Sequence, residues 1–464
     1  MTRVAAVDIG ATSGRVLVVE RTADGLRIDE VHRFPNHPVE QAGAWVWDID
    51  ALWAHVCDGV RAAVATGPVA SIGIDTWAVD YGVVDDDGRL VGPVYAYRDP
   101  WHATGVATAD ARLAWAEHYG IAGIQRLPFN TVYQLLADRH SQRRQHGEIM
   151  LLPDLLMFRA TGVRGTELTN ASSTALIDAR VRRWSPLLLA RLGLSDVRFA
   201  PLLPTGAVRG SSTIPGAEGI AVVAVATHDT ASAYVATPMR DVNTCAVLSL
   251  GTWALIGAEL PAPILDEAAR AANFTNELGV DNTVRFLKNV TGMWLFEECR
   301  REWSQRDGRE IPVPELLEAA MASPAHAASI DPDDPRFANP GFGAEVLADA
   351  AIGARPETRG AIVRCILESV AQRIAEQLQV LERLTGIRRT TLHVVGGGSR
   401  IPQMMQWLAD ATGMQVVAGP VEATALGNAG VQFVANGDFA DIAAYRAWLA
   451  THAAVQTHTP ASLT

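Results

Sequence analysis

The chain opens on an apolar run, VAAVDIG (4–10), interrupted by one aspartate, and a second apolar run, RVLVVE (15–20), follows at once. Two short β-rich runs around a tight connection bracketed by Gly10 and Gly14 predict a hairpin. In 48–66 the apolar residues Leu52, Val56, Val60 and Val64 recur at helical spacing. The stretch SIGIDTWAVDYGVVDDDGRLVG (71–92) predicts another strand, then a strand ending in the turn signal Asp87-Gly88. Strand, helix and strand in this order indicate an α/β domain with a mixed sheet. The theme returns in NTCAVLSLGTWALIGAEL (243–260), half a chain length later, as a strand, a Gly-Thr turn and a returning strand. Two such hairpins suggest a duplicated domain. An amphipathic helix is predicted over 357–386, with Ile366, Val370, Ile374, Leu378 and Leu381 on one stripe and Gly386 as its stop. It leads into the strand TTLHVVGGGSR (390–400), whose glycines open the next helix, and then into the strand GMQVVAGP (413–420). The Pro-, Ala- and Asp-rich stretch 322–344 reads as an irregular connection.

Composition narrows the possibilities. At 464 residues the chain exceeds one hydrophobic core, so two or more domains are expected. A net charge of −12 argues against non-specific nucleic-acid binding and against an anionic membrane surface. The four cysteines are scattered without metal-ligand spacing and read as buried thiols. No basic, signal-like leader and no membrane-length apolar run occurs, so the expected compartment is the cytoplasm. Lys288 is the only lysine, and no G-x-x-x-x-G-K-[ST] occurs. A nucleotide, if bound, must be held by backbone amides, hydroxyls and arginine.

Four stretches offer chemistry. In DIGATSGR the glycines let backbone amides turn outward toward phosphate oxygens. Thr12 and Ser13 add hydroxyls, and Arg15 adds charge. Asp8 either holds magnesium or caps the turn. In VVAVATHDTASA (222–233) an apolar strand ends at Thr227-His228-Asp229-Thr230 and small residues begin a helix. Asp229 stands where α/β proteins place ligand chemistry. It either accepts a proton from a substrate hydroxyl or serves, like Thr230, as a helix cap. SLGTW (249–253) offers a second phosphate-facing turn, and GGGSR (396–400) a glycine turn open to a base or ribose. Among the tryptophans Trp77 is the best placed to stack on a sugar, whereas Asp85 to Asp87 read as a solvated hairpin tip.

Taken together, AVDIGATSGRV, SIGIDTWAVDYG, LPFNTVYQL, VAVATHDTASA, GTWAL, LHVVGGG and AGPVEATALGN make the chain, over 4–460, similar to the FGGY carbohydrate kinases of the actin-like ATPase superfamily. That resemblance implies two duplicated actin-like (ribonuclease H-like) domains with mixed sheets and an interdomain cleft: 1–237 on the sugar side, 238–464 on the nucleotide side. It implies ATP-dependent phosphorylation of a small-molecule ketose, with ATP and Mg2+ required. FNTVYQL and AGPVEATALGN point to the branch that takes L-rhamnulose to its 1-phosphate, with a kinase for another ketose, such as L-fuculose or a five-carbon deoxyketose, and a non-catalytic sugar sensor as the alternatives. By resemblance Asp229 is the proton acceptor and Asp8 holds the metal. Ala11, Thr12, Ser13, Gly14, Arg15, Gly251, Thr252, Glu297 and Gly397 contact ATP, and Ala78, His228, Asp229, Thr230 and Asn289 contact the sugar. The chain departs from that branch at Ala78 (usually Gly), Trp101 (Arg), Leu250 (small and polar), Glu297 (Gln) and Ile401 (Asn).

Overall fold

The computed structural model describes residues 2–137, 143–337 and 341–461. The chain divides into two compact units. The first comprises 1–240, 259–286 and 422–453; the second comprises 241–258, 287–421 and 454–464. The division does not follow a single cut near 237, because two later segments rejoin the first unit.

The first unit is built on a six-stranded sheet. Arg3–Ile9 pairs antiparallel with Ser13–Arg21 and parallel with Ser71–Thr76. Ala221–Val223 adds in parallel beside Ser71–Thr76, and Thr76 bridges onward to His228. Arg3–Ile9 is almost wholly buried, as its apolar run requires. Helix Ile49–Ala65 covers the sheet with Leu52, Val56 and Val60; Asp48 caps it by accepting from Ala51 N–H at 2.9 Å. Past the Asp87-Gly88 turn the chain pairs back in an isolated bridge, Val84 to Leu90. At the tip, Asp86 and Asp87 pair with Arg198 and Arg89.

The helix Ala423–Ala435 also belongs to this unit and is buried along most of its length. A Cβ on Gly427 would lie 1.7 Å from the Ser232 carbonyl oxygen, so only glycine lets this helix meet the helix Asp229–Val235. Gln432 donates to the Ala5 carbonyl at 3.0 Å and accepts from Ser71 at 2.7 Å, which ties the helix to two sheet strands.

The second unit repeats the three-strand arrangement of the first. Cys245–Leu250 pairs antiparallel with Trp253–Leu260 and parallel with Thr391–Val395. Gln415–Ala418 and Gln456–His458 continue the sheet. Helix Arg359–Thr385 buries Ile366, Val370, Ile374, Leu378 and Leu381, the expected stripe, and ends at Gly386 with φ +67°. The triple glycine does not open a helix directly: Gly397–Arg400 forms a 3-10 turn, and the helix starts at Pro402. The stretch 322–344 holds the short helical turn Pro335–Phe337 but is otherwise irregular in its described part; residues 338–340 lie outside the described residues. Among the described residues, no helix is long and apolar enough to cross a membrane.

Leu250 explains one departure from the family pattern. Its side chain is fully buried and packs beneath the glycine turn, where a Cβ on Gly398 would come within 2.5 Å of its Cγ. Replacing Gly398 with Ala should therefore displace a leucine that has no room to retreat. The expected cost is about 1–3 kcal/mol of stability, read as a lower denaturant midpoint at unchanged m.

Candidate active site

Asp8 and Asp75 lie side by side near the ends of two parallel strands of the first unit, and Asp229 opens the helix that follows the third. Asp8 lies opposite Asp75 in the parallel register, and Asp229 follows His228, the bridge partner of Thr76. Carboxyl ends of parallel strands are where α/β folds bind ligands. Asp8 is nearly buried, and Asp75 completely so. Burial, the largest influence, raises the Asp8 carboxyl above the usual range; Arg15 pulls it down, and Asp229 and Glu422 push it up. Asp75 is raised well above that range by burial first, then by Asp8, while Asn428 opposes this with a hydrogen bond of 2.6 Å. Oδ1 of Asp75 has no hydrogen-bond partner. So much negative charge in one buried place calls for a cation.

Arg15 is the cation at hand. Its Nη2 lies 2.9 Å from Oδ2 of Asp8, and Nη1 meets Glu422 in a close ion pair. The turn Gly10–Ser13 is closed by Gly10 N–H donating to the Ser13 carbonyl at 2.9 Å and is held by Asn36 on the Gly10 carbonyl at 2.8 Å. Ala11 is half-buried; Thr12 and Ser13 are exposed, so their hydroxyls face solvent. Gly14 has a packing reason of its own: a Cβ there would sit 2.1 Å from the Phe34 ring.

The N-cap of the helix Asp229–Val235 is His228, whose side chain makes no capping bond. Asp229 occupies the first helical position instead. Its Oδ1 accepts from Thr230 N–H at 2.5 Å and from Thr230 Oγ1 at 3.1 Å. At the other end Arg446, paired with Glu259 at 2.7 Å, donates to the carbonyls of Tyr234 and Val235. Glu167 accepts from Thr227 N–H and Oγ1 at 3.2 and 3.1 Å, which fixes the chain two residues before Asp229.

Ala78 is half-buried and precedes Val79, which has φ +74°. A β-branched residue there is strained. Thr131 Oγ1 (2.7 Å) and Gln134 Nε2 (3.3 Å) donate to the Val79 carbonyl and hold it. Beneath lies Asp80, whose Oδ2 accepts from the Trp47 and Trp77 indoles at 2.6 and 2.8 Å and from Tyr97 N–H at 3.1 Å. Burial nevertheless lifts the Asp80 carboxyl to about 6. Trp77 is thus a packed residue tilted against Trp47, with ring centroids 4.2 Å apart, and its indole N–H donates to Asp80.

The remaining sequence candidates lie in the second unit. The Gly251–Thr252 turn receives Met293 N–H on the Gly251 carbonyl at 2.8 Å and Trp294 N–H on the Thr252 carbonyl at 3.2 Å. Asn289 sits half-buried in the strand Val284–Thr291. Glu297 is exposed and paired with Arg300 at 2.9 Å. Gly397 is exposed at the start of its turn. Asp75, Asp80, Glu277, Arg285 and Glu422 gather around the first-unit candidates without having been singled out from sequence. The available signal was the one that marked Asp8: a lone carboxylate in an apolar strand, as in SIGID.

Among the described residues no three His, Cys, Asp or Glu side chains converge as a ligating cage. Magnesium takes one or two carboxylates together with substrate phosphates and water, and Asp8 beside Asp75 offers two. The unpartnered oxygen of Asp75 beside Asp8 fits it as well.

Models for the N- and C-terminal domains of the FGGY family of carbohydrate kinases match residues 4–236 and 246–436. The chain is 41% identical to a rhamnulokinase of Bacteroides thetaiotaomicron, over 98% of this chain and 95% of that one. Among solved structures it resembles a ligand-bound xylulose kinase from Lactobacillus acidophilus (TM-score 0.82, 15% identity, 100% of this chain and 94% of that one). It also resembles a glycerol kinase from Plasmodium falciparum with ADP (TM-score 0.81, 14% identity, 99% and 94%). The fold is that of the actin-like sugar kinases.

Proposed function

The chain belongs to the FGGY family of carbohydrate kinases, and from that premise we propose that it transfers the γ-phosphoryl group of ATP to the 1-hydroxyl of L-rhamnulose, with Asp229 as proton acceptor. The observation that carries the site assignment is the register that sets Asp8 beside Asp75, with Arg15 on Asp8 and Asp229 opening the helix after the adjoining strand. Asp229 takes the proton as the sugar oxygen attacks phosphorus. The new O–P bond forms while the bond to the β-phosphate oxygen breaks, and ADP leaves. Ala11 to Arg15 bind phosphate through the turn amides, the hydroxyls and the guanidinium. To accept phosphate, Arg15 exchanges part of its contact with Asp8 and Glu422. Asp8, next to Asp75, holds magnesium, which when bound neutralises phosphate charge. Ala78, His228 and Thr230 position the sugar in the first unit. In the second we assign Gly251, Thr252, Glu297 and Gly397 to ATP and Asn289 to the sugar. All four cysteines are free thiols, which supports a reducing, cytoplasmic compartment.

A coupled ADP-release assay over a panel of ketoses tests this reading. L-Rhamnulose should give the highest kcat/KM; turnover of every other ketose but not of this one overturns it. Ala78 favours a second reading, in which a smaller deoxyketose is preferred, because its methyl stands where relatives carry glycine. One buried methyl discriminates by about 1–3 kcal/mol. Ala78→Gly should thus raise the kcat/KM ratio of L-rhamnulose over a five-carbon deoxyketose, by about 200-fold at most. An unchanged ratio means that residue 78 does not touch the sugar.

A further inference from the structure

A buried chain of charge stands behind Asp229, and the reaction as described so far does not use it. Glu277, in the strand Thr275–Leu278, lies 3.0 Å from Nη1 of Arg285, which the strand Val284–Thr291 supplies. Both side chains are nearly inaccessible, with Arg285 1% exposed. Oε2 of Glu277 is also 3.2 Å from Nδ1 of His228, and Nε2 of that ring is 3.4 Å from Oδ1 of Asp229. Nη2 of Arg285 approaches Nδ1 at 3.3 Å as well. Burial raises the Glu277 carboxyl, yet Arg285 and His228 together bring it below the usual range, so it is ionised.

These distances restrict the protons on His228. A neutral ring with its hydrogen on Nδ1 would turn the Nε2 lone pair toward the Asp229 carboxylate, which is repulsive. Nδ1 instead accepts from Nη2 of Arg285, whose charge offsets the nearby Glu277 carboxylate, and Nε2 keeps the hydrogen, so an N–H faces Oδ1 of Asp229. The same oxygen already takes the N–H and hydroxyl of Thr230. The contacts on Asp229 therefore gather on Oδ1, and Oδ2 is the oxygen left to a substrate.

We propose that Glu277 is a positioning residue for phosphoryl transfer: paired with Arg285, it holds that guanidinium on Nδ1 of His228, so that Nε2–H faces Oδ1 of Asp229 and Oδ2 faces the sugar hydroxyl. The idea rests on Asp229 being the proton acceptor. Glu277 also offsets the charge of Arg285, which would otherwise stand uncompensated beside the histidine. A base oriented by a third group through a histidine is a recurring device.

The test is a double-mutant cycle of Glu277→Gln with His228→Asn, read as kcat and as KM for L-rhamnulose and ATP. Glu277→Gln should lower kcat by about 10–100-fold in the native background, with KM for ATP within about threefold. In the His228→Asn background the same change should cost less than about threefold in kcat. Equal losses in both backgrounds, or no loss in the native one, overturn the proposal. If Glu277→Gln leaves Arg285 too exposed in charge to fold, the balanced Glu277→Gln/Arg285→Gln variant takes its place in the same two backgrounds, with the same criteria. Asp229→Asn, run alongside, separates the two ideas. Near-native turnover there removes the proton-acceptor assignment, whereas an inert Asp229→Asn enzyme with a full-rate Glu277→Gln enzyme removes only the part given to Glu277.

Discussion

Asp229→Asn should fold like the native chain, bind sugar, and turn over about 10²–10⁴-fold more slowly, a loss of about 3–5 kcal/mol of transition-state stabilisation. The fold should survive because Asn keeps an oxygen to accept the N–H and hydroxyl of Thr230, the bonds Asp229 makes at the first helical position. The helix has other anchors: Arg446 on the carbonyls of Tyr234 and Val235, and Gly427 packed on Ser232. What Asn cannot do is take a proton from the attacking hydroxyl. Removing one carboxylate also relieves Asp8 and Asp75, whose carboxyls Asp229 helps to raise, so both should titrate at lower pH in the variant. A rapid-quench measurement of phosphoryl transfer at saturating ATP and sugar separates chemistry from product release. A variant retaining near-native transfer would leave Asp229 as a residue that only braces its helix.

The duplicated hairpins, the long amphipathic helix and the positions of Asp8 and Asp229 were legible in the sequence because each rests on local pattern. Alternation and an interrupting carboxylate mark a strand end, and Gly386 marks a helix stop. The register that puts Asp8 opposite Asp75 joins residues far apart in the chain, and no periodicity reports it. The return of 422–453 to the first unit is of the same kind. It brings Glu422 to Arg15 and Asn428 to Asp75, and the two glycine-limited contacts behind it, Gly427 on Ser232 and Gly73 on Asn428, are tertiary facts. Trp77 shows the converse. In sequence it is the tryptophan best placed to stack on a sugar, but the donors that Asp80 needs lie within reach of its indole, and a buried carboxylate secures them first. The partners of His228 were illegible for the same reason: NELGVDNTVRF reads as two short strands, and nothing in it announces that Glu277 and Arg285 face one histidine.

The largest effect on stability is expected away from the chemistry, at Arg209. Its guanidinium and the Asp154 carboxylate meet at 2.6 Å, both side chains wholly inaccessible. Arg209 also donates to the carbonyls of Asp154, Gly165 and Val163 at 3.1, 2.7 and 3.2 Å. Arg209→Met removes the charge and strands these acceptors, and breaking a buried pair this way costs about 3–5 kcal/mol. Burial holds the Asp154 carboxyl at about 7 despite Arg209. A carboxyl raised in the folded state binds more protons there than in the unfolded chain, so its contribution to stability falls as pH rises from about 4 to 7. Without Arg209 the carboxyl rises further, and that decline continues beyond 7. The deficit of Arg209→Met against the native protein should therefore be larger at pH 8 than at pH 5, measured as chemical denaturation midpoints at both. Asp154→Leu with Arg209→Met should recover much of the loss, because no unpaired charge remains. The effect reaches the active site through Glu167, whose backbone N–H donates to Oδ1 of Asp154 at 3.1 Å and whose side chain holds Thr227 before Asp229. Arg209→Met should thus lower kcat as well as the midpoint, whereas a deficit independent of pH would mean that Asp154 is not the group left unpaired.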